Sequence, residues 1–173
     1  GVAALIYQVT WVRQSTLVFG VSVYAYSAVL TAFMGGSALG SYWIGRRADH
    51  TGSPLRIYAW LQAGIALFGV TTPYLLLALL PLYAHLAQAA PESLVWLNGV
   101  RLTFSLLVLI PPTLLMGATL PVMARAYAGS PGQVGGDVGR LYAVETLGAA
   151  LGCALAGLWL IRLLGTQETA WLA

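Results

Sequence analysis

The chain of 173 residues has no lysine, one cysteine, two histidines and five acidic residues. Each scarcity excludes something. Charged residues make up 8% of the sequence, where a soluble domain carries about 25%, so there is too little charge to cover a water-facing surface. A single cysteine, Cys153, sits in an apolar run and excludes an internal disulfide or a cysteine zinc cluster. His50 and His85 stand far apart and near loops, so neither a metal-ligand cluster nor a nucleophile–base arrangement is visible. No cofactor and no catalytic residue are expected in this segment. The basic residues are all arginines and are scattered, which argues against nucleic acid as a partner and reads as a set of topology signals. What is present is apolar: 59% of the residues are hydrophobic. The expectation is an integral membrane protein of the inner or plasma membrane, with the lipid bilayer as its first partner. The first apolar run follows no basic leader and reads as a span rather than a signal peptide. Because the chain starts without methionine and ends within an apolar run, it is expected to be a piece of a longer protein.

A bilayer-crossing helix needs about 20 mainly apolar residues. The expected fold is all-α: one transmembrane helical domain over residues 1–173, with spans near 1–19, 21–44, 55–80, 99–124 and 141–164 and a truncated sixth starting near Thr169. The stretch from Pro81 to Asn98 reads as a connection. Alternating crossings gather Arg46, Arg47, Arg56, Arg125 and Arg140 on one side, with Arg13, Arg101 and Arg162 towards the other. The positive-inside rule then makes the first side cytoplasmic, so Gly45–Pro54 and Gly129–Gly139 are expected to be cytoplasmic loops. The second, GSPGQVGGDVG, is flexible by composition; its GGDVG has no preceding strand and reads as a linker, not a nucleotide-binding turn.

Several residues stand out against the apolar background. IPPTLLMGATLP, Ile110 to Pro121, puts Pro111, Pro112 and Pro121 into a run that should be helical. A proline removes a backbone hydrogen bond and crowds the preceding turn. In lipid such a bend is tolerated where protein or a water-lined cavity satisfies the freed groups, and Thr113 and Thr119 offer local hydroxyls. Pro112 and Gly117 therefore mark either a bend lining a substrate path or a kink that only shapes the bundle. Ionisable groups inside a span are costly. Glu145 lies in the fifth span and Arg13 in the first, with Gln8 about one and a half turns before it. Glu145 is expected to face the bundle interior, where it either pairs structurally or binds a proton or cation. Arg101 and Arg162, near helix ends, are expected to snorkel and carry little functional weight. Gly36 with Gly40, and Gly148, Gly152 and Ala156, recur every four residues, a spacing that lets helix backbones approach within a bundle or at a dimer face.

Two resemblances follow from these strings. GRRADHTGSP, with Gly45, Ala48, Asp49 and Gly52 in step and Arg46 beside them, resembles the signature loop of the major facilitator superfamily, though Ser53 and Pro54 replace its later basic positions. The alternative is a charged turn that only fixes topology. Taken in order, ALIYQVTWVRQSTLVFG, SVYAYSAVLTAFMGGSALGS, GRRAD, PPTLLMGATLPVMAR and VGRLYAVETLGAALG resemble the membrane part of bacterial fused proteins that join facilitator-like helices to a spermidine synthase-like domain. That resemblance implies half of a facilitator fold and a C-terminal soluble transferase partner of aminopropyltransferase type, absent from these residues. It also implies handling of a small cationic or amphipathic substrate. The family often has glutamate where this chain has Gln8, and asparagine where it has Glu145. The alternative is half of a facilitator-type secondary transporter with no enzymatic domain.

Overall fold

A long apolar segment folds as a helix in lipid because a helix satisfies all its backbone polar groups within one segment. The computed structural model describes residues 1–19, 23–48, 52–88, 93–127 and 134–173, and these are helical almost throughout, with no strand among them. Five helices follow in order: α1 (Val2–Phe19), α2 (Val23–Ala48), α3 (Pro54–Gln88), α4 (Leu94–Tyr127) and α5 (Val134–Leu155). A π-helical turn, Ala156–Leu160, continues α5 into the short α6 (Ile161–Leu164), and α7 (Thr166–Leu172) closes the chain. Pro54 opens α3 as its first residue, where its missing N–H costs nothing. Gly165, at φ 88°, takes the left-handed backbone conformation that separates α6 from α7.

Several element bounds differ from the sequence expectation. α3 continues through Pro81 to Gln88 and α4 begins at Leu94, so most of the expected connection over residues 81–98 is helix. The expected cytoplasmic loop over 129–139 is also part helix: Gly135, Gly136 and Gly139 lie in α5, and residues 129–133 fall outside the described residues. Apolar spacing through Val134, Val138 and Leu141 extends the helix back across these glycines, against their propensity. Three helical runs are long and apolar enough to cross a membrane: Pro54–Gln88, Leu94–Tyr127 and Gly135–Leu164. Five complete spans and a truncated sixth are not supported on that measure. α1 is interrupted by Gln8, Arg13 and Gln14, and α2 by its tyrosines, serines and glycines, which lower the apolar content of both.

Helix directions follow from which residues meet. α2 and α4 run parallel, because Gly36 abuts Thr113 and Gly45 abuts Pro121. α1 and α5 also run parallel, with Val2 against Gly148 and Gly152 and the Arg13 level against Ile161. α3 is antiparallel to α4: Leu61 packs with Ala118 and Val122, while Tyr83 meets Phe104 edge-on, ring centres 6.0 Å apart. The core holds Trp11, Val29, Leu76, Val108 and Leu109. Outward faces carry exposed large apolar side chains such as Trp60, Leu67, Val95, Leu107 and Leu163, which fits a membrane protein solvated by lipid.

Candidate functional site

Between α2 and α4 the small residues bring backbones together. A Cβ at Gly40 would overlap the Leu114 backbone, and one at Gly117 the Ser37 backbone. α4 runs as one helix through all three prolines. Pro112 is buried against protein while its neighbour Pro111 is exposed. By helix geometry the prolines free the carbonyls of Leu107, Val108 and Gly117, four residues earlier. The nearby hydroxyls serve other carbonyls. The single Thr113 hydroxyl hydrogen has Leu109 O nearest (2.7 Å), with Ile110 O (3.2 Å) and, across the interface, Ala32 O (3.3 Å) as alternative acceptors, and Thr119 Oγ1 donates to Met116 O (2.6 Å). Thr113 thus ties α4 to α2 beside the proline pair.

A polar cavity of about 210 Å³ lies where α1, α3, α4 and α5 converge. Its polar groups come from four helices: Tyr7, Tyr58 and Gln62, Thr119, and Glu145. Tyr58 and Gln62 are four apart and share one face of α3. Tyr7 sits where it does because α3 has a glycine opposite: a Cβ at Gly69 would overlap the tyrosine ring. Tyr7 also stacks on Trp11, ring centres 5.4 Å apart. Glu145, half-buried, reaches this cavity because Gly148 and Gly152 on the same side of α5 allow the start of α1 to close in. Its Oε1 lies 3.4 Å from the Gly1 nitrogen, where the sequence begins. None of Arg13, Arg140 and Tyr142 pairs with it among the described residues. Gln8 is half-buried one position past Tyr7, about 100° round the helix, and does not line the cavity.

A second cavity, about 480 Å³, opens between α1, α2 and the π-helical turn. Arg13 and Arg162 both line it, together with Tyr26 and Gly157. The sequence placed Arg162 at a helix end with little weight; the fold sets it beside the arginine of α1. Arg46 lies elsewhere, exposed at the end of α2. It donates to Tyr42 Oη (2.8 Å), with its guanidinium carbon 5.3 Å from the centre of that ring. Asp49, the acid of the expected signature loop, lies outside the described residues.

Sequence reasoning singled out Glu145 and Arg13 by their cost in an apolar run and Thr119 as a hydroxyl beside the prolines, but missed Tyr7, Tyr58 and Gln62. The i, i+4 polar pair Tyr58–Gln62 in an otherwise apolar helix was the available signal. Among the described residues there is no group of histidine, cysteine and acid able to hold a metal ion. Comparison with protein-family models, curated proteins and solved structures returned no match.

Proposed function

We propose that this chain is a multi-pass membrane domain that takes up a small cationic, amphipathic amine in the cavity around Glu145. In the same reading it anchors a cytoplasmic, spermidine synthase-like transferase in the plasma membrane. One observation carries the site: among the described residues Glu145 is the sole charged side chain on a cavity otherwise lined by hydroxyls, an amide and apolar groups. A carboxylate away from bulk water favours a cation strongly. Tyr7, Tyr58 and Thr119 supply hydroxyl oxygens and Gln62 a carbonyl, all acceptors for the N–H groups of an amine. Ile65 and Met116 supply apolar surface for its alkyl chain. The arginine bias puts the α2–α3 and α4–α5 connections in the cytoplasm, and the cavity, near the start of α1, then opens towards that side. A transferase attached there would meet its amine on the same face.

Titrating spermidine and n-hexylamine into the protein in nanodiscs tests the site. Both amines are expected to bind the wild type, and Glu145→Gln to weaken them roughly tenfold or more, the loss of about 1.4 kcal/mol. Failure of both amines to bind the wild type would overturn the reading. The anchoring role is tested by the coding sequence beyond Ala173. A glycine-rich, acidic soluble domain there supports it, whereas a second six-helix half ending the chain makes this half of a facilitator-type transporter.

A further inference from the structure

Two exposed arginines, Arg13 and Arg162, line the cavity between α1, α2 and the π-helical turn, and among the described residues no counterion lines it with them. Its wall is built by α1 (Val9, Val12, Arg13), by Tyr26 of α2, and by the π-helical region (Gly157, Ile161, Arg162). Of the described acids, Asp137, Glu145 and Glu168, none lines it. Two guanidinium groups facing one space repel each other unless something negative lies between them.

The π-helical turn is the reason they share that space. The Ile161 N–H bonds to Ala156 O, five residues earlier, in place of the usual four. In a regular α-helix Arg162 would stand about 140° away from Gly157 on the helix surface. In a turn closed by an i to i+5 bond, residues five apart come onto one side. Gly157 faces the cavity, so Arg162 does too, across from Arg13. Gly157 itself leaves the wall open, with no atom within 4 Å of where its Cβ would stand. Turns of this kind are rare and recur at functional sites. Here the turn has a definite product, a paired-arginine cavity.

We propose that Arg13 and Arg162 form an oxyanion site that holds a phosphate group, separate from the Glu145 cavity. Guanidinium forks match phosphate oxygens in planar, paired hydrogen bonds. The volume of about 480 Å³ is enough for more than a bare phosphate. Apolar Val9, Val12 and Ile161 lie beside the arginines, so the phosphate carries an apolar or carbon-bearing group. The same chemistry is offered by a phospholipid headgroup and by a free phosphate ester.

The test uses the protein purified in maltoside micelles. Inorganic phosphate and glycerol 3-phosphate are titrated calorimetrically, and phosphatidylglycerol added to the micelles is sought as a retained adduct by native mass spectrometry. Calorimetric binding identifies a soluble ester as the ligand; adduct retention alone identifies a lipid headgroup. In either case Arg13→Gln and Arg162→Gln are each expected to weaken binding about tenfold or more. Deleting Leu158 removes the extra residue of the π turn and leaves Arg162 four residues after Gly157, about 40° away on the same side, so it is expected to keep binding. Circular dichroism and gel filtration identify variants that fold. Absence of binding by all three probes to the wild type overturns the proposal, as does undiminished binding in both arginine variants. Binding lost by a folded Leu158 deletion overturns the placing of Arg162 on the Gly157 side.

Discussion

α2–α4 and α1–α5 are both parallel helix pairs, and both are drawn together by glycines four residues apart. Between α2 and α4 the approach is sustained: Gly36, Gly40 and Gly45 on one helix meet Thr113, Leu114 and Pro121 on the other, and Gly117 returns the contact to Ser37. The interface is close along about two and a half turns, and no charged side chain among the described residues lies between Gly36 and Gly45. Between α1 and α5 the approach is made at one end only, where Val2 sits on Gly148 and Gly152. Further along, the pair opens, first beside the Glu145 cavity and then, past the π-helical turn, into the cavity of Arg13 and Arg162. The same small-residue spacing therefore produces a rigid seam in one place and a hinge-like closure over polar space in the other. What separates them is whether the small residues continue along both helices.

That contrast can be broken most severely at the seam. Gly40→Val places branched carbons against the Leu114 backbone, which cannot rotate away. Overpacking of this kind costs about 1–3 kcal/mol, and thermal unfolding in micelles should show a marked drop in Tm. An unchanged Tm would mean that α2 and α4 do not pack this closely. Gly99→Ala sharpens the comparison from the opposite direction. Nothing lies within 4 Å of a Cβ there, so the helix gains about 0.5–1 kcal/mol from the lower backbone entropy of alanine. The smallest expected effect is Thr113→Val, which removes the hydroxyl reaching Ala32 O across the seam. Interhelical hydrogen bonds in lipid average about 0.6 kcal/mol, and a double-mutant cycle with Gly36→Ala checks whether that bond depends on the close approach.

Most of the helical layout was legible because it depends on composition. The apolar runs, the arginines that bound them and the glycine spacings on α2 and α5 are all readable from a single sequence. Bounds were less legible. The extension of α3 through Pro81, and of α5 back across Gly135 and Gly136, reflects helix continuing where turn-forming residues suggested connection. For the Glu145 cavity, the acid itself was visible as an expensive residue in an apolar run. Its surroundings were not, since Tyr7, Tyr58 and Gln62 come from two other helices and are unremarkable one by one. The hydroxyls offered by Thr113 and Thr119 were correctly seen as local donors, but they serve Leu109, Ile110 and Met116 rather than the carbonyls freed by the prolines.

By itself the sequence determined that this chain is helical, that its outer faces are apolar, and that glycines allow particular helix faces to approach. Each of these follows from residue type and spacing along one segment, where burial and backbone hydrogen bonding are local matters. Only the tertiary structure decided which polar groups share a space. Glu145 shares a cavity with Tyr7, Tyr58, Gln62 and Thr119 because four helices converge there, a relation between segments far apart in the chain. Arg162 joins Arg13 because the Ala156–Leu160 turn closes over five residues instead of four, which turns everything after it by about a quarter of a turn from its place in a regular α-helix. A one-residue change of register leaves the composition of the run untouched, so it has no signature in hydropathy. It appears only when the helix is packed against its neighbour and one side has to face it.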